Sequence, residues 1–139
     1  MVGRRIFVDS SGFYALLDRG DRAHRRALML KEEWRKSGRR LFTSDYIVDE
    51  TATLLKARGS SFLIGAFFSL LERTEALTLT FVSEERFYRT REFLLKHSDH
   101  EYSFTDCSSF VLMNELGATD ALTTDKHFRE AGFQPLLAP

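Results

Sequence analysis

The sequence is poor in residues that staple or interrupt a chain. It has one cysteine, Cys107, and two prolines, Pro135 and Pro139, in 139 residues. A lone cysteine excludes a disulfide framework and a cysteine-rich zinc module, and it fits a reducing compartment. With so few prolines and only scattered glycines, nothing marks a linker, a repeat or a low-complexity segment. Residues 1–139 are therefore read as a single domain, long enough to bury a core unaided. A long apolar run is also missing: the longest, residues 62–71 (FLIGAFFSLL), falls well short of the ~20 residues that span a bilayer. Arg4, Arg5 and Asp9 interrupt the amino-terminal stretch where an export signal needs unbroken apolar residues. A cytoplasmic protein with no membrane association is the expectation.

Net charge is absent too, with 20 Lys+Arg balancing 20 Asp+Glu. The balance hides a division. Residues 1–40 carry eleven basic and five acidic side chains, and the remainder carries nine and fifteen. A basic region suits phosphates and an acidic one suits cations, although each surplus also fits a solvated surface.

Residues 5–8 (RIFV) read as a short strand, followed by a helix over about 11–17. Residues 21–36 place Ala23, Ala27, Leu30 and Trp34 on one stripe of an amphipathic basic helix. A strand at 41–43 precedes a helix capped by Ser44 that runs to about Lys56, with Ile47, Val48, Thr51, Leu54 and Leu55 as its buried stripe. Residues 60–73 read as a nearly all-apolar helix, 77–82 as a strand, 83–97 and 103–116 as helices, and 121–124 as a strand. A short helix at 126–131 and an edge strand at 133–136 complete the order. Strands separated by helix-length segments predict an α/β fold, a parallel sheet with helices on both faces.

In such a sheet ligands gather at the carboxyl ends of the strands. Asp9 directly follows the first strand and Asp125 follows the strand at 121–124. Asp106 lies in the first turn of its helix on the face of Phe110 and Met113, so its carboxylate needs a backbone donor or a cation. Glu50 flanks the Ile47–Thr51–Leu54 stripe, whereas Asp49 points nearly the opposite way and is expected in solvent. Four acids at one edge cannot all stay ionised without cations. Mg²⁺ or Mn²⁺ takes oxygen ligands, bridges carboxylates to a phosphate and activates water for in-line attack, which points to phosphodiester hydrolysis. Each acid alone also has a structural reading: Asp9 in an Asx turn, Asp125 as a helix cap, Asp106 in a capping box with Ser103, and Glu50 as a rim residue.

Four stretches, 6–17 (IFVDSSGFYALL), 45–55 (DYIVDETATLL), 98–117 (SDHEYSFTDCSSFVLMNELG) and 121–133 (ALTTDKHFREAGF), are distributed along most of the chain's length. Through them the sequence resembles the PIN-domain ribonucleases, especially the VapC-like toxins of prokaryotic toxin–antitoxin pairs. The resemblance implies an α/β/α sandwich and metal-dependent endonucleolytic cleavage of RNA. It puts the catalytic and metal-holding quartet on Asp9, Glu50, Asp106 and Asp125, with Mg²⁺ or Mn²⁺ as cofactor. Ser11 and Thr105 match supporting hydroxyl positions, although many members have Thr-Asn where this chain has Ser10-Ser11. A homodimer and a cognate antitoxin are the implied protein partners.

For RNA binding, Arg22, Arg25 and Arg26 are the candidates within the basic region. The apolar stretch 62–71 fits either a partner surface or the core. Cys107 as a thiol nucleophile and His97/His100 as zinc ligands are the weaker readings, and His127 is either near the site or at the surface. Three functions compete with the toxin nuclease. They are a PIN-fold nuclease of RNA processing, a non-catalytic RNA-binding module, and a phosphoryl-transfer domain using an aspartyl phosphate. The last lacks the second aspartate of Asp-x-Asp after the first strand.

Overall fold

A computed structural model describes residues 3–139; Met1 and Val2, at the start of the amino-terminal stretch that bears on export, lie outside it. Five strands, β1 (Ile6–Val8), β2 (Leu41–Ser44), β3 (Leu77–Thr80), β4 (Asp120–Leu122) and β5 (Gln134–Pro135), form one sheet in the order β3-β2-β1-β4-β5. Every neighbouring pair is parallel, with Phe7 opposite Phe42 on one side and Ala121 on the other.

Seven helices connect the strands: α1 (Ser10–Leu17), α2 (His24–Ser37), α3 (Asp45–Ala57), α4 (Ile64–Arg73), α5 (Glu84–Lys96), α6 (Phe104–Glu115) and α7 (His127–Glu130). The chain steps from β1 outward to β3 and then returns past β1 to β4 and β5. Right-handed crossovers therefore place α1 to α4 on one face and α5 to α7 on the other. The packing agrees, with α1 against α2, α3 and α4, and α5 against α6. This is the expected α/β/α sandwich around a parallel sheet.

Local chemistry explains the boundaries. Ser44, Ser83 and Ser103 each accept a hydrogen bond from the amide three residues on, so α3, α5 and α6 start where their caps stand. Helix α2 begins at His24 rather than Asp21, because the Asp21 carboxylate accepts the Ala23 amide (2.8 Å) and holds a turn there. Strand β3 stops at Thr80 because the Val82 amide donates to Asp45 Oδ1 (2.7 Å) instead of the ladder. The 60–73 region is a 3₁₀ turn (Ser61–Leu63) followed by α4, and only Phe67 of α4 is buried. Phe62 stands 80% exposed, so this apolar stretch is not core along its whole length.

The core is one cluster in which Phe7 meets Phe42 edge to face (centroids 5.3 Å) and Phe110 meets Phe128 (5.0 Å). Gly12 is the one glycine forced by close approach. A Cβ there would lie 2.1 Å from the Leu122 carbonyl oxygen, so α1 can rest on β4 only without a side chain.

Candidate functional site

The strand order reverses between β1 and β4, and ligands of open α/β sheets bind in the crevice at such a switch point. Asp9 is the first residue past β1 and Thr123 the first past β4. The Thr123 hydroxyl donates to Asp9 Oδ2 (2.7 Å), and Thr123 in turn accepts the Asp125 amide (3.0 Å). Ser11 Oγ lies 3.0 Å from Thr123 Oγ1 and 3.4 Å from Asp9 Oδ2, and it accepts the Thr124 amide at 3.0 Å. Asp9 holds the N-cap position of α1 yet makes no side-chain cap, so its carboxylate is turned to its neighbours rather than to its own helix. It is 5% exposed. Burial, reinforced by the Glu50 and Asp106 charges and opposed by the Thr123 hydrogen bond, pushes its pKa up to about 7.

The other acids arrive from separate elements. Glu50, on α3, accepts a 2.5 Å hydrogen bond from Ser10 Oγ, while Asp49 beside it is exposed as the helix phase requires. Burial and the Asp106 and Asp125 charges hold Glu50 above the usual carboxylate range, against the pull of Ser10. Asp106 completes a reciprocal capping box: its amide donates to Ser103 Oγ (2.9 Å) and its Oδ2 accepts the Ser103 amide (3.0 Å). Its pKa is raised all the same, by burial first and then by Asp125. Asp125 accepts the His127 amide on Oδ1 (2.9 Å) and so fixes the entry to α7. Asp9, Glu50 and Asp106 thus each feel at least one other acid of the set, and Asp125 acts on both Glu50 and Asp106.

Capping and function are not alternatives here. Asp106 Oδ2 accepts the cap amide and Asp125 Oδ1 accepts a turn amide, one hydrogen bond each, so both carboxylates are held in place with lone pairs left on either oxygen for a cation. Ser10, Thr123 and His127 belong to the same constellation. His127 Nδ1 lies 3.4 Å from Asp125 Oδ1 and 3.8 Å from Asp106 Oδ2. Ser10 and Thr123 leave no periodic trace in the sequence; their one signal is adjacency to Asp9 and Asp125. Thr105 is engaged through its carbonyl, which accepts from Ser108 and Ser109.

Cys107 is fully buried and its thiol is pushed up to about 11 by burial and by Asp106, which removes the thiolate a nucleophile needs. His97 bonds the Phe93 carbonyl (2.8 Å), and His100 stacks on Tyr102, so both serve packing.

Arg22, Arg25 and Arg26 are exposed and make no ion pair among the described residues. Arg22 and Arg26 line a concavity of about 500 Å³ together with Thr124, the residue just before Asp125. A separate apolar cavity of about 380 Å³, lined by Leu28, Trp34 and Leu41, opens at the amino ends of the strands, away from the acids.

The donor set suits a divalent cation. Its carboxylates are hard oxygen ligands, three of them have raised pKa values that a bound cation would reverse, and ligand atoms of Asp106, Asp125 and His127 lie within 4.8 Å of one another.

The PIN domain profile matches residues 6–134 of the chain. The 23S rRNA-specific endonuclease VapC20 of Mycobacterium tuberculosis, in strains H37Rv and CDC 1551, is 33% identical over 129 residues, covering 92% of this chain and 95% of the relative. The crystal structure of M. tuberculosis VapC20, a sarcin–ricin-loop-cleaving toxin, superposes with a TM-score of 0.81 at 31% identity. It covers 94% of this chain and 97% of that one.

Proposed function

The chain belongs to the PIN-domain family, and from that premise we propose that it is a divalent-metal-dependent endoribonuclease, the toxin of a toxin–antitoxin pair. One observation carries the reading: four carboxylates from four elements meet at the switch point, with Asp9 buried and held to a pKa of about 7. A fold would not keep that arrangement for stability, because burying a carboxylate beside others costs free energy. The relatives' cleavage of 23S rRNA makes a structured ribosomal RNA hairpin the first substrate to try.

Asp9, Glu50, Asp106 and Asp125 would hold Mg²⁺ or Mn²⁺, which supplies Lewis acidity toward a phosphate oxygen and toward the attacking water. The protein's own part is positioning. Thr123 and Ser11 aim Asp9, Ser10 aims Glu50, the Ser103 capping box aims Asp106, and the turn into α7 aims Asp125. Held this way, the carboxylates need no rearrangement when the scissile phosphate arrives. Arg22 and Arg26, with Arg25 beside them, would hold flanking phosphates in the concavity at Thr124.

Residues 1–139 would act as one nuclease domain. A homodimer and a cognate antitoxin are the protein partners in this reading, and the cytoplasm is its location. No described helix is long and apolar enough to cross a membrane.

Cleavage of single-stranded RNA and of a sarcin–ricin-type hairpin, with Mn²⁺ and with EDTA, tests the proposal beside Asp106→Asn. Loss of cleavage on chelation and in the variant supports it. Activity that survives either one would sink it. A PIN-fold nuclease of RNA processing remains the second reading, favoured if expression of the active chain leaves growth unimpaired.

A further inference from the structure

We propose that His127 is itself a ligand of the cation, and that the Asp106–Asp125–His127 subsite consequently prefers a transition ion such as Mn²⁺ to Mg²⁺. The inference rests on the metal-dependent reading above and deepens it.

The imidazole sits where a ligand would. Phe128, fully buried, anchors α7, and the His127 amide is tied to Asp125 Oδ1 at 2.9 Å. Backbone and carboxylate are thereby locked together, and the ring is turned to the acids. Nδ1 faces Asp125 Oδ1 at 3.4 Å and Asp106 Oδ2 at 3.8 Å, and neither contact has hydrogen-bond geometry. Ligands of one octahedral cation, at ~2.1 Å from it, lie ~3.0 Å apart when adjacent and ~4.2 Å when opposite. Both separations fall between those limits. The spacing suits groups that share an ion better than groups that bond each other.

A second observation comes from the far side of the ring. Nε2 faces Glu130 Oε2, three residues along α7, at 3.8 Å. Imidazoles that bind metal through one nitrogen generally give the other N–H to a carboxylate or carbonyl, which fixes the tautomer and strengthens the ligand. Glu130 is the group within reach for that purpose. Tyr102 meets the ring edge to face at 5.8 Å, and 27% of the side chain is exposed, enough for an ion to enter.

Ion preference follows from ligand chemistry. Mg²⁺ demands oxygen and gives up water reluctantly, whereas imidazole suits transition ions.

Pulsed EPR of Mn²⁺ bound to the full chain, without RNA, reads the proposal directly, and calorimetric titration with Mn²⁺ and Mg²⁺ supplies the affinities. The wild type should show nitrogen hyperfine coupling and bind Mn²⁺ on the order of tenfold tighter than Mg²⁺. His127→Gln should lose both the coupling and the preference. Glu130→Gln should keep the coupling while binding Mn²⁺ about 10- to 100-fold more weakly. Bound Mn²⁺ without nitrogen coupling in the wild type overturns the assignment whatever the variants do, and so does an unchanged ion preference in a folded His127→Gln. Either result leaves the nuclease reading standing. A wild type that binds neither ion overturns both.

Discussion

Replacing Asp9 by Asn should stabilise the protein while abolishing cleavage, and the gain should depend on pH in a calculable way. Asp9 ionises at 3.8 in the unfolded chain and at about 7 in the folded one. At ~1.4 kcal/mol per pKa unit, that difference is a penalty of about 4 kcal/mol. The sign follows from proton counting. Below pH 3.8 the carboxyl is protonated in both states and contributes nothing. As pH rises from 3.8 to about 7, the folded chain keeps a proton that the unfolded chain has released, so stability falls. Above about 7 the whole penalty is present. Asn has no such titration, and its side-chain oxygen can still accept from Thr123. Relief of the Glu50 and Asp106 charges acts in the same direction, since both press on Asp9. Urea unfolding in EDTA should therefore give nearly equal stabilities at pH 4 and a gap opening to about 4 kcal/mol at pH 8. That gap is a midpoint shift of roughly 2 M at an m-value near 2 kcal/mol/M. Saturating Mn²⁺ should then raise the wild type more than Asp9→Asn, which keeps Asp106, Asp125 and His127 but lacks one carboxylate. A gap that stays constant from pH 4 to 8, or a variant less stable than wild type at pH 8, would refute the claim that burial and neighbouring charge strain this carboxylate.

Helix phase is tested by a neighbouring pair: Glu50→Gln should lower kcat on RNA by on the order of 10²-fold or more, while exposed Asp49→Asn leaves it within about twofold. Equal losses would mean that α3 presents a different face. Gly12→Ala drives a Cβ against the Leu122 carbonyl, so it should cost about 3 kcal/mol in urea unfolding and weaken cleavage by separating Asp9 from Thr123. A variant of wild-type stability would show that α1 and β4 have slack. Joint replacement of Arg22 and Arg26 by Ala should weaken RNA binding and flatten the plot of log affinity against log salt by about one for each phosphate left without its arginine. An unchanged slope removes the concavity at Thr124 from the RNA path.

The sequence carried the architecture because its local signals and its global fold agree. Ser44, Ser83 and Ser103 cap helices that start where they stand, and strands alternating with amphipathic segments dictate a parallel sheet. The four acids were legible as residues at strand ends or on buried helix faces. Their supports were harder to read, because Ser10 reaches Glu50 across 40 residues and Thr123 reaches Asp9 across 114. No local pattern encodes such contacts. A strand end drifted for the same reason: β3 stops at Thr80 because Asp45, 37 residues away, claims the Val82 amide. The apolar stretch at 62–71 stayed open between surface and core for another reason. Hydrophobicity all round a helix looks the same whether its faces are covered or, as at Phe62, left open.

The insertion of β1 between β2 and β4 also sets a schedule. During synthesis the amino-terminal strands and their helices can pair as they emerge, but Asp9 has no Thr123 to meet until β4 has cleared the ribosome. Parallel pairing of segments so distant in the chain is among the slower events of folding. A chain paired only as far as β3 can bring Glu50 to the Ser10 hydroxyl beside Asp9, but it lacks Thr123 to aim Asp9, and Asp106 and Asp125 to complete the acids. In the proposed nuclease that order of assembly would leave the constellation incomplete until β4 has paired with β1.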